Sequence, residues 1–178
     1  GDNMQNPFTT TFSKTPEYTY IDTEKAEEIL ENFSYDRPSE SVYKITGVRG
    51  SGKTVLLAKV EEELRSGIYK ADNWLIFDVN PTRDILGQIA AMLVKEGFGG
   101  KTKSGTGGGF GFSSEKNMEF FDIGVEVEKM IQQVQKKNKK ILIGIDEVSK
   151  SDEMVKFASE YGRWLRAGYP VYFVCTGP

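Results

Sequence analysis

The 178-residue sequence contains no histidine. That absence excludes histidine-based catalytic triads, imidazole proton relays and most zinc sites. A single cysteine, Cys175, excludes an intrachain disulfide and fits a reducing compartment. Long apolar runs are missing too. Ile141–Ile145 and Val171–Cys175 are far too short to cross a bilayer. No signal-peptide pattern opens the sequence, so a cytoplasmic protein without a membrane partner is expected. Charge of one sign is also scarce. Lys and Arg number 23, Asp and Glu 26, leaving a net charge of −3. A broad basic nucleic-acid face is therefore disfavoured. What remains is globular composition, 38% hydrophobic and 28% charged, enough to build one domain with a real core.

The pattern along the chain alternates strands and helices. Residues 1–20 read as an extended lead-in, broken by Pro7 and Pro16. Thr23–Phe33 reads as a helix with Thr23 as candidate N-cap. Val42–Thr46 is a strand, and Lys53–Ser66 a helix with Val55, Leu56, Val60 and Leu64 turned inward and Gly67 as its stop. A strand at Trp74–Val79 and a helix at Asp84–Glu96 follow. Seven of the thirteen residues from Gly99 to Gly111 are glycine, so residues 99–113 are expected to form a mobile loop, with Lys101 and Lys103 flanking its glycines. Then come a helix at Gly124–Lys137, a buried strand at Ile141–Ile145, a helix at Asp152–Ala167 and a strand at Val171–Thr176. Four strand–helix repeats imply an α/β domain with a parallel sheet covered on both faces. The division expected is a lead-in with first helix over 1–41 and a core over 42–178. The sequence stops on a strand, at Gly177–Pro178, which suggests the N-terminal piece of a longer protein.

Between the first strand and its helix stands Gly47-Val48-Arg49-Gly50-Ser51-Gly52-Lys53-Thr54, which fits G-x-x-x-x-G-K-[ST]. By average composition this pattern arises by chance in fewer than about 1% of chains of this length. Its chemistry is that of a phosphate cradle. The glycines let backbone N–H groups turn toward a dense anion, and the helix beginning at Lys53 aims its positive end at the same place. Lys53 can reach the β- and γ-phosphates, and Thr54 offers a hydroxyl to Mg²⁺. Arg49 would either touch a phosphate or project to solvent. Val55, next in line, completes the set of expected nucleotide contacts.

Ninety-three residues after Lys53, the apolar run Ile141–Ile145 ends in Asp146 and Glu147. A buried parallel strand presents its carboxyl end on the ligand side of the sheet. Asp146 would then serve Mg²⁺, and Glu147 would orient and deprotonate a water. The plainer alternative is a strand running into a turn. Thr176, ending the last strand, would either face the γ-phosphate or merely reflect β-propensity. The run Lys136, Lys137, Lys139, Lys140 reads more simply as a solvated helix end than as a nucleic-acid patch.

Together the Gly47–Thr54 loop, the Asp146-Glu147 pair and the Thr176 strand resemble the Walker A, Walker B and sensor-1 elements of AAA+-type P-loop ATPases. Asn6-Pro7-Phe8 looks like the lead-in of a prokaryotic, archaeal-type group distantly similar to origin-recognition initiator ATPases. The resemblance implies a three-layer P-loop sandwich with sheet order 5-1-4-3-2, the Thr176 strand lying between the first strand and the Asp146 strand. The fifth strand and the helical lid domain are expected to be absent. It further implies ATP (or ADP) and Mg²⁺ as ligands and ATP hydrolysis in a motor or switch, slow for want of an arginine finger. Glu147, Lys53 and Thr176 would be its catalytic residues. Relatives often carry Gly-Arg before the first helix, where Tyr20-Ile21-Asp22 stands here. DNA contact is expected only through a further C-terminal region, as in a nucleotide-gated DNA-binding protein, and homo-oligomers only in the full-length protein. A P-loop kinase is the remaining alternative, lacking an arginine-rich lid.

Overall fold

The computed structural model describes residues 17–48, 50–66, 73–99 and 122–178. The Asn6-Pro7-Phe8 lead-in, Arg49, Gly67 and the glycine-rich segment beyond Gly99, with Lys101 and Lys103, lie outside the described residues.

Five strands form a single all-parallel sheet: β1 (Thr19–Asp22), β2 (Val42–Thr46), β3 (Trp74–Asp78), β4 (Lys140–Ile145) and β5 (Val171–Thr176). Its spatial order is β1-β2-β5-β4-β3. The Thr176 strand does lie between the first expected strand and the Asp146 strand. The sheet has five strands where four were expected: Thr19–Asp22, at the end of the expected lead-in, pairs with Thr46 and the three residues before it as a parallel edge strand. Alternating burial in this segment is faint, since only Ile21 of the four residues is buried, so periodicity alone could not reveal it.

Five helices are described: α1 (Glu27–Phe33), α2 (Lys53–Ser66), α3 (Ile85–Lys95), α4 (Ile123–Lys136) and α5 (Asp152–Ala167). The first helix is shorter than expected. Thr23–Lys25 forms a separate 3-10 turn, and Asp22 rather than Thr23 caps it, accepting from Glu24 N. Local chemistry fixes the other starts. Asp84 accepts from Gly87 N at 3.0 Å, Asp122 from Gly124 N at 2.9 Å and Ser151 from Met154 N at 3.1 Å. Gly168, at φ 79°, closes α5 in the left-handed conformation.

The strand period of two sends alternate residues to opposite faces. Val42, Phe77, Ile141, Ile143, Phe173 and Cys175 pack against α3, α4 and α5. Tyr43, Ile45, Trp74, Leu142 and Val174 pack against α1 and α2 on the other face. Aromatic side chains fill both layers. Phe157, Tyr161, Trp164 and Phe173 form one cluster; Phe33, Trp74 and Tyr172 form another. Each such buried side chain contributes roughly 1.5–3 kcal/mol of transfer free energy. Val55, expected inward, is 70% exposed; Leu57, Val60, Glu61 and Leu64 are the buried positions of α2. Burial pushes the Cys175 thiol up to about 12, which leaves it unreactive in the core. No described helix is long and apolar enough to cross a membrane.

Candidate functional site

The strand period also places the site. Leu142, Gly144 and Asp146 share the α2 side of β4, and Val174 and Thr176 share it on β5. Both strands therefore deliver a polar residue, at their carboxyl ends, to the place where β2 turns into α2. That turn is the glycine-rich loop. Gly47, Gly50 and Gly52 take φ values of 155°, 82° and 92°, where a side chain is disfavoured. A Cβ at Gly47 would also stand 2.5 Å from Ser51 Oγ. The loop thus bends tightly enough to close Ser51 N onto Val48 O at 3.0 Å and begin α2 directly beyond.

Lys53 folds back over this loop. Its ammonium donates to Gly47 O at 2.7 Å and to Gly177 O at 3.3 Å. Thr54, one residue on, donates its hydroxyl to the Asp146 carboxylate, 3.1 Å from Oδ1 and 3.0 Å from Oδ2. Thr176 donates to Asp146 Oδ1 at 2.6 Å and accepts from Glu147 N at 2.8 Å. Glu147 adopts φ 61°, unusual for a residue with a side chain. A cavity of about 730 Å³ opens over the loop, lined by Gly50, Gly52, Lys53, Thr54 and Glu147, with Val48 and Val55 exposed at its rim. That volume suits a ligand of nucleotide size.

Of the residues expected at the site, Gly47, Val48, Gly50, Ser51, Gly52, Lys53, Thr54, Val55, Asp146, Glu147 and Thr176 come together here. Arg49 lies outside the described residues. One expected orientation is corrected. Thr176 does not face the cavity: it is fully buried, and its single proton is committed to Asp146. The hydroxyl is consumed because β5 sits beside β4, so the two strand ends meet each other before either meets a ligand.

The chemistry open to this arrangement is specific. A cation, a cluster of glycine amides and a helix N-terminus surround one end of the cavity, a setting for a polyanion. Thr54 and Asp146 bring a hydroxyl and a carboxylate within hydrogen-bond distance, hard oxygen donors of the kind Mg²⁺ prefers. Among the described residues no three acidic or thiol side chains gather as a metal cage. The donor set therefore fits a cation held by one carboxylate, one hydroxyl and oxygens of a ligand.

Sequence reasoning missed two features. The carbonyl of Gly177 anchors Lys53, and a Cβ at Gly177 would meet only the flexible end of Lys44, 2.8 Å from its Cε. The other is Glu61 of α2, which is only 6% exposed and lies over Gly144, where a methyl group would overlap its Oε2. Burial first, and then hydrogen bonding to Asp78 and the charges of Asp78 and Asp146, raise this carboxyl to about 8, against a smaller opposing pull from Arg65. At neutral pH it is protonated. The signal was available: a glutamate on the apolar stripe of a helix, and a glycine inside an otherwise apolar strand.

No family model matches the chain, and no curated protein matches it.

Proposed function

We propose that this chain binds ATP with Mg²⁺ at the Gly47–Thr54 loop and hydrolyses it, as an AAA+-type P-loop ATPase core would. The observation that carries the reading is the convergence of Lys53, Thr54 and Glu147 on one cavity at the carboxyl end of a parallel sheet, with Asp146 hydrogen-bonded to Thr54 beneath it, the four residues coming from two segments more than ninety residues apart.

In this reading the Lys53 ammonium leaves the Gly177 carbonyl and binds the β- and γ-phosphate oxygens. Backbone N–H groups of the loop and of the first turn of α2 take the remaining β-phosphate charge. Thr54 and Asp146 would hold Mg²⁺, which when bound neutralises charge developing on the phosphate oxygens. Glu147 orients the attacking water and accepts its proton. Val48 and Val55, apolar and exposed at the rim, cover the less charged part of the nucleotide.

Among the described residues no arginine lines the cavity. An arginine at the transferred phosphate typically adds roughly 10³–10⁵ in rate, so turnover by this chain should be slow. Phosphate release with and without Glu147→Gln tests the proposal. Slow, Mg²⁺-dependent release that the variant abolishes, while still binding nucleotide, is expected. Release unchanged by the variant would overturn the role of Glu147, and turnover near ~10 s⁻¹ would overturn the expectation of slow chemistry.

A further inference from the structure

We infer that Thr176 is a positioning residue that sets the geometry of Asp146 and Glu147 together, rather than a group that touches phosphate; the inference rests on the ATPase reading given above. A threonine hydroxyl has one proton to give and lone pairs to receive. Here the proton goes to Asp146 Oδ1 at 2.6 Å, and the oxygen receives Glu147 N–H at 2.8 Å. The main-chain carbonyl of Thr176 receives Val148 N–H at 2.9 Å. One residue thus holds three consecutive positions of the strand end, some thirty residues earlier in the chain.

Glu147 needs such a hold. Its φ of 61° is strained for a side-chain-bearing residue and persists only where the surroundings impose it. The Thr176 hydroxyl, fixed on the carboxyl end of the neighbouring strand, does the imposing. The turn it enforces directs the Glu147 side chain to the cavity while Asp146 stays beneath, facing Thr54. The next carbonyl, Gly177 O, holds the Lys53 ammonium at 3.3 Å. The dipeptide Thr176-Gly177 therefore touches the metal-side carboxylate, the backbone of the water-side carboxylate and the phosphate-side amine. A fully buried hydroxyl with its proton already engaged has none to offer a γ-phosphate.

Thr176→Val keeps the shape and deletes the hydroxyl; Thr176→Ser keeps the hydroxyl. Hydrogen exchange in the nucleotide-free protein is the primary readout. The Glu147 amide should exchange about ten-fold faster or more in T176V and at the wild-type rate in T176S, with amides inside β4 unchanged. Mg-ATP affinity should move less than about three-fold in T176V while turnover falls about a hundred-fold, and T176S should restore turnover. In the unsubstituted protein, a nuclear Overhauser contact from the Thr176 hydroxyl proton to the Glu147 amide should persist when Mg-ATP is added. This last measurement decides the matter even if T176V fails to fold. An unchanged Glu147 amide in folded T176V, or loss of the hydroxyl contact on adding Mg-ATP, would overturn the inference. Absence of Mg-ATP binding by the wild type would instead overturn the ATPase reading, and the exchange result would still stand or fall by itself.

Discussion

Replacing Glu61 with glutamine should flatten the pH dependence of stability. In the folded chain the Glu61 carboxyl is raised to about 8 by burial and by Asp78; in the unfolded chain it titrates at its ordinary 4.5. Between these values the folded state holds a proton that the unfolded state has released. Its contribution to stability is therefore complete below about 4.5 and is lost as pH rises through about 8. Each pH unit in the interval is worth about 1.4 kcal/mol, so the loss from about pH 5.5 to about pH 8.5 has a ceiling of about 3 kcal/mol. Movement that lets water or Arg65 reach the carboxylate would reduce it. The background is quiet, since the chain has no histidine and Cys175 titrates far higher. Glutamine is neutral at every pH, matches the shape above Gly144 and can still donate to Asp78. Urea unfolding of wild type and E61Q at several pH values would read the difference. The wild type should lose at least about 1.5 kcal/mol more than E61Q across the window. Parallel curves, agreeing within about 0.5 kcal/mol, would refute the placement of a protonated Glu61 behind the site.

Gly47→Ala should raise the dissociation constant for Mg-ATP at least about ten-fold while barely shifting the melting temperature, because the strain falls on the loop and not on the core; calorimetry beside a thermal melt checks both halves. Asn32→Ala removes a buried amide that accepts from Ser39 N at 2.9 Å and donates to Glu40 O at 2.8 Å, and should cost about 1–3 kcal/mol by chemical denaturation. Gly168→Ala meets no neighbouring atom, so only the left-handed backbone resists it, and the same assay should read about 1 kcal/mol.

The sheet was legible wherever burial forces a pattern. Ile141–Ile145 and Val171–Thr176, covered on both faces, read as continuous apolar runs, and their helices carry caps that sequence rules recognise. β1 was not legible, because an edge strand of four residues with one buried side chain has almost no period. The residues of the glycine-rich loop and the Asp146-Glu147 pair could be placed by local rules, since glycine spacing and strand ends are local. What could not be read is lateral. Thr176 meets Asp146 because β5 pairs with β4, and Glu61 lies against Gly144 because α2 crosses that strand. Neither contact leaves a mark at one position alone. Val55 shows the opposite failure: an apolar residue at the mouth of a loop was assigned to the core by type, when its place on the first turn of α2 turns it outward.

The central claim is that the Gly47–Thr54 loop holds a triphosphate through Lys53. Calorimetric titration of Mg-ATP into the wild-type chain and into Lys53→Ala tests it most directly. The account predicts saturable binding at one site per chain, lost or weakened at least about a hundred-fold in K53A, as removal of a charge-assisted contact to phosphate implies. Wild-type chain that takes up no heat, or K53A that binds as the wild type does, would contradict it.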